Sequence, residues 1–510
     1  MLRITKGREL LLMAAVAFMA TSAILVGCYK TPDESDLSTA LAGNDHAGGE
    51  TRAVESATDV PSPTPPATEQ VDCDDEGGAE RETRALWSRV GVSRSPISRQ
   101  DINELVAKVD GARLNVVLFA VYTHGTAFFE PSHARFPDSG ERLSNRSAFR
   151  DDEYNDALRY LLAVRDERRS DDDPLNDFEI HAWFNVHRGG DMESGWPPVD
   201  KTEPYMLHAL FPEFKLKYGA YYLRKDERFV RHSTSVIHQP RFRAYMVDLI
   251  AGLVEDYGVD GVHLDHIRTG GICFNDEPLD YPGTEYDYPG CQQAYRAWTQ
   301  EVYGREYTLW KDTDGHKQIR DGGSGRVAAW QERAVGMLVR DIHDEVKSVT
   351  PGAIISVAAV SNPIAPRSRR ASIQGQVAWE WLDQGWIDAS FVTVYSADTQ
   401  GVVDKIRAVR QAVQSECRRS SVFPGLAVYD LDSKEERASL VVEQVNAVMR
   451  GQWTGQPLEP PARGVALFRA TRFGEAAISG LADAPFIEAA QPFWGETVPN
   501  SAAPNSPGNQ

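Results

Sequence analysis

One string, Tyr257-Gly258-Val259-Asp260-Gly261-Val262-His263-Leu264-Asp265-His266, gathers the side chains best suited to chemistry. Read as a strand it alternates, with Gly261, His263 and Asp265 on one side and Val262 and Leu264 on the other. If the first set faces inward, a carboxylate and an imidazole stand together where the strand ends. A carboxylate there can serve as nucleophile, acid or base toward a glycosidic bond, whose hydrolysis takes two such groups. The plainer role for Asp265 is pairing with a neighbouring Arg. A second string, Ile180-His181-Ala182-Trp183-Phe184-Asn185-Val186-His187-Arg188, puts Trp183, Asn185 and His187 on one face. An aromatic ring beside an amide and an imidazole suits a sugar, which stacks its C–H face and needs directional hydrogen bonds. Trp183 fits the role of core filler equally well.

Several residues compete to be the second carboxylate. Tyr122-Thr123-His124-Gly125-Thr126 is followed by Glu130, Tyr395-Ser396-Ala397 leads to Asp398, and Tyr429 leads to Asp430. Spacing does not choose among Asp398, Asp430 and Glu130. Glu380, in Trp379-Glu380-Trp381, reads as a structural residue on a helix. Asp312-Thr313-Asp314-Gly315 opens like a calcium loop but lacks the Glu at its twelfth position, so it reads as a turn. Asp171-Asp172-Asp173-Pro174 reads as a solvated loop. No phosphate-cradling glycine loop, nucleophile elbow or paired-histidine zinc motif occurs, and no metal or organic cofactor is implied.

Such strand ends need a scaffold to bring them together. Eight short apolar runs supply one: Ala85–Gly91, Asn115–Tyr122, Glu179–His187, Val259–Ile267, Ala353–Val360, Ala389–Tyr395, Val422–Tyr429 and Gly464–Ala470. Runs this continuously apolar are buried on both faces, as in a parallel sheet. Helical stripes alternate with them. Ile102, Leu105, Val106 and Val109 form one, with Ser98 and Asp101 as a capping pair. Phe242, Tyr245, Met246, Leu249, Ile250 and Leu253 form another, and Trp330, Ala334, Met337, Leu338 and Ile342 a third, stopped by Pro351-Gly352. Val402, Ile406, Val409 and Val413 make a fourth. Eight strand-then-helix units predict an α/β fold, a (β/α)8 TIM barrel. Its extra length lies in long βα-loop insertions after strands three and four (Arg188–Gln239 and Arg268–Val327), on the face where barrels place their sites.

The ends of the chain read differently. Arg3, Lys6 and Arg8 precede an uncharged apolar run, Leu10 to Ile24, that closes at Leu25-Val26-Gly27-Cys28. This resembles a lipoprotein signal peptide (residues 1–28) whose Cys28 takes the lipid; a transmembrane anchor is the other reading. Residues 29–82 read as a disordered Pro-rich tether, with 14 acidic and three basic side chains and Pro61-Ser62-Pro63-Thr64-Pro65-Pro66. The barrel is expected over 83–497 and a disordered tail over 498–510. Of 510 residues 54 are basic and 74 acidic, a net −20, which argues against nucleic acid as the main partner. Export permits disulfides. Cys273 and Cys291 share one loop and make a plausible bridge, while Cys73 and Cys417 pair or stay free.

Taken in order, Ala182-Trp183-Phe184-Asn185, Val259-Asp260-Gly261-Val262-His263-Leu264-Asp265 and Gly385-Trp386-Ile387-Asp388 resemble the glycosyl hydrolase-like 10 family. Arg84-Ala85-Leu86-Trp87 resembles its opening strand and Gly425-Leu426-Ala427-Val428-Tyr429 its seventh. The resemblance implies a bacterial (β/α)8 protein of a group that includes envelope lipoproteins acting on peptidoglycan glycans. The chain departs from that pattern in two places. His266 follows Asp265 where the family has paired acids, and Tyr122 and Thr126 stand where it carries Arg and Asp. The resulting expectation is a lipid-anchored glycoside hydrolase of the cell envelope, on the outer membrane if Gram-negative, with a carbohydrate polymer as substrate. Asp265, with Asp398 or Asp430, would be catalytic. His263, Trp183, Asn185, His187, His124, Tyr122, Tyr395 and His266 would contact the sugar. The alternatives are a non-catalytic glycan-binding or scaffolding lipoprotein and a barrel enzyme outside glycoside chemistry.

Overall fold

The computed structural model describes residues 81–488, 490 and 492, apart from 91–96, 132–148, 150, 152, 170–176, 194–198, 201–202, 218–231, 282–283, 314–315, 320–324, 362–373 and 429–433. The signal segment with Cys28, nearly all of the tether, the tail, the 171–174 loop, Tyr429 and Asp430 lie outside the described residues.

Eight apolar runs form the strands of one sheet: β1 (Thr83–Ser88), β2 (Val116–Thr123), β3 (Glu179–Asn185), β4 (Gly261–Asp265), β5 (Ile354–Val360), β6 (Ala389–Thr393), β7 (Val422–Ala427) and β8 (Gly464–Phe468). Each pairs in parallel with the next, and β1 pairs with both β2 and β8, so the sheet closes. A helix follows every strand: α1 (Arg99–Gly111), α2 (Ala157–Arg169), α3 (Pro240–Tyr257), α4 (Arg326–Val349), α5 (Ala378–Asp383), α6 (Thr399–Ala412), α7 (Lys434–Val445) and α8 (Glu475–Asp483). This is the (β/α)8 barrel that the sequence predicts. The expected stripes are the buried faces of α1, α3, α4 and α6, with only Met337 half-buried at an edge. Ser98 and Asp101 form the capping box at the start of α1. Gly258, at φ 63°, ends α3 in the left-handed conformation that favours glycine.

The amino-terminal rim is fastened by one device used three times. A polar side chain just ahead of an even strand accepts a backbone N–H from the start of the strand before it. Asn115 takes the N–H of Arg84, Asp260 that of Ile180 and Asp388 that of Ile355, each at 2.8 Å. Arg165 and Arg169 neutralise Asp260, and Lys347 neutralises Asp388. Two acids of the recurring strings are therefore structural. Glu82, expected as the last tether residue, instead belongs to the fold, where it pairs with Arg84 and Arg450.

The insertions after β3 and β4 build on the opposite rim. The first carries a small sheet of Arg188–Glu193, Val199–Asp200 and His232–Thr234. The second carries a helix, Cys291–Tyr303, and a hairpin of Trp310–Thr313 with His316–Ile319. Thr313 pairs with His316 across that hairpin, and Asp314 and Gly315 between them lie outside the described residues. Phe274, Tyr288, Tyr295, Trp298, Trp310 and Trp330 give these loops a core of their own. The expected Cys273–Cys291 disulfide staples it, with Cα atoms 5.9 Å apart. Cys417 is disulfide-bonded as well.

Candidate active site

Asp265 is the last residue of β4, half-buried at the carboxyl-terminal rim of the barrel. Its Oδ2 accepts the Trp183 indole N–H at 3.2 Å, and its Oδ1 accepts the His266 backbone N–H at 2.7 Å. The His266 Nε2 stands 3.8 Å from the same carboxylate. His266 itself has φ 50°, a left-handed conformation uncommon away from glycine. Its N–H bonds to Asp265, its carbonyl meets His187 Nδ1 at 2.5 Å and the Arg268 N–H at 2.9 Å, and these hold it there. The His187 ring meets the His266 ring edge-on at 5.2 Å. His187 thus acts on the turn that carries Asp265.

Beneath Asp265 the barrel axis is filled by rings. His263 is fully buried, with its ring 5.6 Å from Trp87, 5.7 Å from Phe391 and 6.4 Å from Trp183. The Trp87 indole donates to His263 Nε2 at 2.9 Å, which fixes the proton on Nδ1, facing the Ser356 hydroxyl at 3.0 Å. Burial, and then the charge of His181, hold the His263 pKa well below the usual imidazole value. The expectation that His263 orients a sugar is corrected: both ring nitrogens are used inside the barrel. Trp183, 3% exposed, is the core filler of the two roles weighed for it: its ring packs the axis rather than presenting a face to a sugar, and its N–H holds Asp265.

The end of β2 departs from simple alternation. The register slips between Ala120 and Tyr122, so Tyr122 pairs with Phe184 and stacks on it at 6.0 Å. Phe184 lies on the outer side of β3, and Tyr122 is fully buried there. Tyr122 is therefore no sugar contact, and burial raises its pKa. The same bulge brings Thr123 to the Asn185 side, where Asn185 Nδ2 donates to Thr123 Oγ1 at 2.8 Å and Thr123 meets His124 Nδ1 at 3.3 Å. Asn185 lies beside Asp265 in the β3–β4 register. Its Oδ1 is buried and has no hydrogen-bond partner. His124 (φ 51°) and Gly125 (φ 73°) turn the chain sharply, and a Cβ on Gly125 would sit 2.1 Å from the Gly189 carbonyl. After that turn Thr126–Ala127 runs back antiparallel along β2, so Glu130 is carried toward the opposite rim, where its N–H meets the Tyr257 hydroxyl at 2.8 Å. Glu130 is thereby removed as second carboxylate.

Of the remaining candidates, Asp398 is exposed at the start of α6, just beyond β6. Tyr395 lies flat on Phe468 at 5.3 Å, among the rings at the head of the barrel. Glu380 is exposed on α5, the helix leading into β6. Two residues escaped the reading of the sequence. Arg89 follows β1 and Arg469 follows β8, both half-buried, and Arg89 feels the charges of Arg469 and Asp265. The signal was the alternation Trp87-Ser88-Arg89, which puts a guanidinium one step beyond an axial ring. Among the described residues no group of His, Cys, Asp and Glu could hold a metal ion.

The fold is similar to several solved structures. The catalytic domain of β-amylase from Paenibacillus polymyxa aligns at 11% identity and TM-score 0.45, over 79% of this chain and 95% of that one. The PgaB (BpsB) glycoside hydrolase domain from Bordetella bronchiseptica aligns at 11% identity and TM-score 0.43, over 79% and 96%. β-Galactosidase from Bacillus circulans sp. alkalophilus aligns at 12% identity and TM-score 0.46, over 79% and 55%. No curated protein matches the chain in sequence. Residues 82–439 match the glycosyl hydrolase-like 10 family, and with most of its length inside that match the chain belongs to this family.

Proposed function

We propose that this protein is a glycoside hydrolase of the cell envelope, held to the membrane by a lipid on Cys28, that cleaves a polysaccharide or peptidoglycan glycan. The observation that carries the reading is Asp265: a carboxylate at the end of a barrel strand, fixed by the Trp183 and His266 N–H groups. An ionised carboxylate suits the nucleophile or base of glycoside hydrolysis, while a second carboxyl protonates the leaving oxygen. Asp398, beyond β6, is the described candidate for that acid, and Asp430 follows β7 in the sequence. The half-buried Tyr395 and His266 offer a sugar further contacts.

A specific feature favours a second reading, a glycan-binding scaffold: His266 stands where a paired acid would be. Incubating the protein with purified peptidoglycan glycan, and assaying new reducing ends beside bound glycan, separates the two. New reducing ends support the hydrolase. Binding with none released supports the scaffold.

A further inference from the structure

Arg89 and Arg469 are two cations at the carboxyl-terminal rim, each close enough to feel the other's charge. β1 and β8 are paired with Trp87 opposite Phe468, so the residues just past them emerge side by side at the same rim. The Arg469 guanidinium sits 5.9 Å over the Phe468 ring, which packs against Trp87, Trp183 and Tyr395. Among the described residues neither guanidinium makes a hydrogen bond or an ion pair, although both are half-buried. Elsewhere the most deeply buried guanidiniums have acceptors: Arg84 takes Glu82, Arg165 takes Asp166 and Asp260, and Arg410 takes the carbonyls of Pro460 and Val422. Two adjacent cations without a counter-ion repel one another and lose hydration. That arrangement is unfavourable for the free protein and favourable for receiving an anion, since paired guanidiniums are good carboxylate binders. Among the described residues the nearby acids are few: Asp265 acts on Arg89 from a distance, and Asp398 is exposed to solvent. Arg188 and Arg268, beside His124 and His266, add positive charge to the same rim.

We infer that Arg89 and Arg469 form a subsite for a carboxylate carried by the sugar next to Asp265, so that the substrate is an anionic glycan. This rests on the glycosidase reading and adds to it the class of substrate. The carboxylate can belong to a uronic acid or to an ether side chain of the sugar. Neutral glycans leave the two guanidiniums unmatched.

The test uses oligosaccharides of a uronic acid, glycan strands whose sugars carry ether-linked carboxylates, and the carboxyl-reduced form of each. Cleavage is measured for the wild type, and binding for the Asp265→Asn protein, so that recognition is read apart from catalysis. One acidic glycan is expected to bind at least about 10-fold more tightly than its reduced form, with Arg89→Gln or Arg469→Gln removing that preference. Which acidic glycan does so identifies the source of the carboxylate. The melting temperature of Arg89→Gln should stay level or rise, because an unpaired cation beside another is removed. Equal binding of acidic and reduced glycans would overturn the subsite, as would an equal loss on both in the Arg variants. Arg89-dependent binding with no cleavage of any glycan would uphold the subsite and sink the hydrolase reading instead.

Discussion

Trp183 and His263 share the axis of the barrel yet do different work. Trp183 gives Asp265 an N–H from inside the packed layer, so Trp183→Phe keeps most of the ring and deletes one donor. A loss of about 10-fold in glycan cleavage is expected, with stability lowered by about 1–3 kcal/mol for the space the smaller ring leaves in the packed axis. Kinetics beside a denaturant titration would show it. His263 is held neutral by burial and its neighbours, and His238, stacked 3.7 Å from Trp330, is pushed down to about 3 by burial and then Arg243. Below the ordinary imidazole value the unfolded chain binds protons that these folded histidines refuse. Stability is therefore fully present above about pH 6.5 and falls as pH drops below it, by up to about 1.4 kcal/mol per unit for each histidine. Replacing His238 by Phe should flatten that fall between pH 6.5 and 4. An unchanged slope would mean that other groups set it.

Among the elements, the amino-terminal rim and the insertions make separate demands. Burial alone would raise the Asp260 pKa, but Arg165, the Ile180 N–H and Arg169 bring it below the usual carboxylate value. Asp260→Asn leaves Arg165 without that partner and should lower stability by about 3 kcal/mol, read as a shift of the denaturation midpoint. The Cys273–Cys291 bridge spans 18 residues, so serines at both positions should lower stability by about 3 kcal/mol and loosen the insertion before the barrel. Hydrogen exchange confined to the loops would show that order. These elements were legible in the sequence to different degrees. Continuous apolar runs marked all eight strands, because burial on both faces leaves a plain pattern, and 3.6-residue stripes marked four of the helices. Tyr122 was misplaced because a single bulged residue reverses alternation without any signature in composition. Glu130 was misplaced because a two-residue strand turns the chain back before it. Arg89 and Arg469 passed unnoticed because an arginine at a strand end reads as a solvated charge until its lack of a partner is seen. His263 and Asp265 share a face as alternation requires, but which of them reaches solvent depends on depth along the axis, and spacing does not encode depth.

For the molecule as a whole, charge and address are linked. The stretch 29–82 holds 14 of the 74 acidic side chains and only three basic ones, and it follows the Cys28 proposed to carry the lipid. Expressed in a bacterial cell, the full chain is expected to incorporate labelled palmitate, and Cys28→Ala to incorporate none and to leave the membrane fraction. Label retained in that variant would place the lipid elsewhere. The central claim, though, is that a glycosidase site is organised around Asp265. Its most direct test is the rate of glycan cleavage by Asp265→Asn, measured as new reducing ends against the wild type with thermal unfolding as the control for folding. A fall of about 100-fold or more at an unchanged melting temperature is expected. Cleavage at the wild-type rate by the folded variant would contradict it.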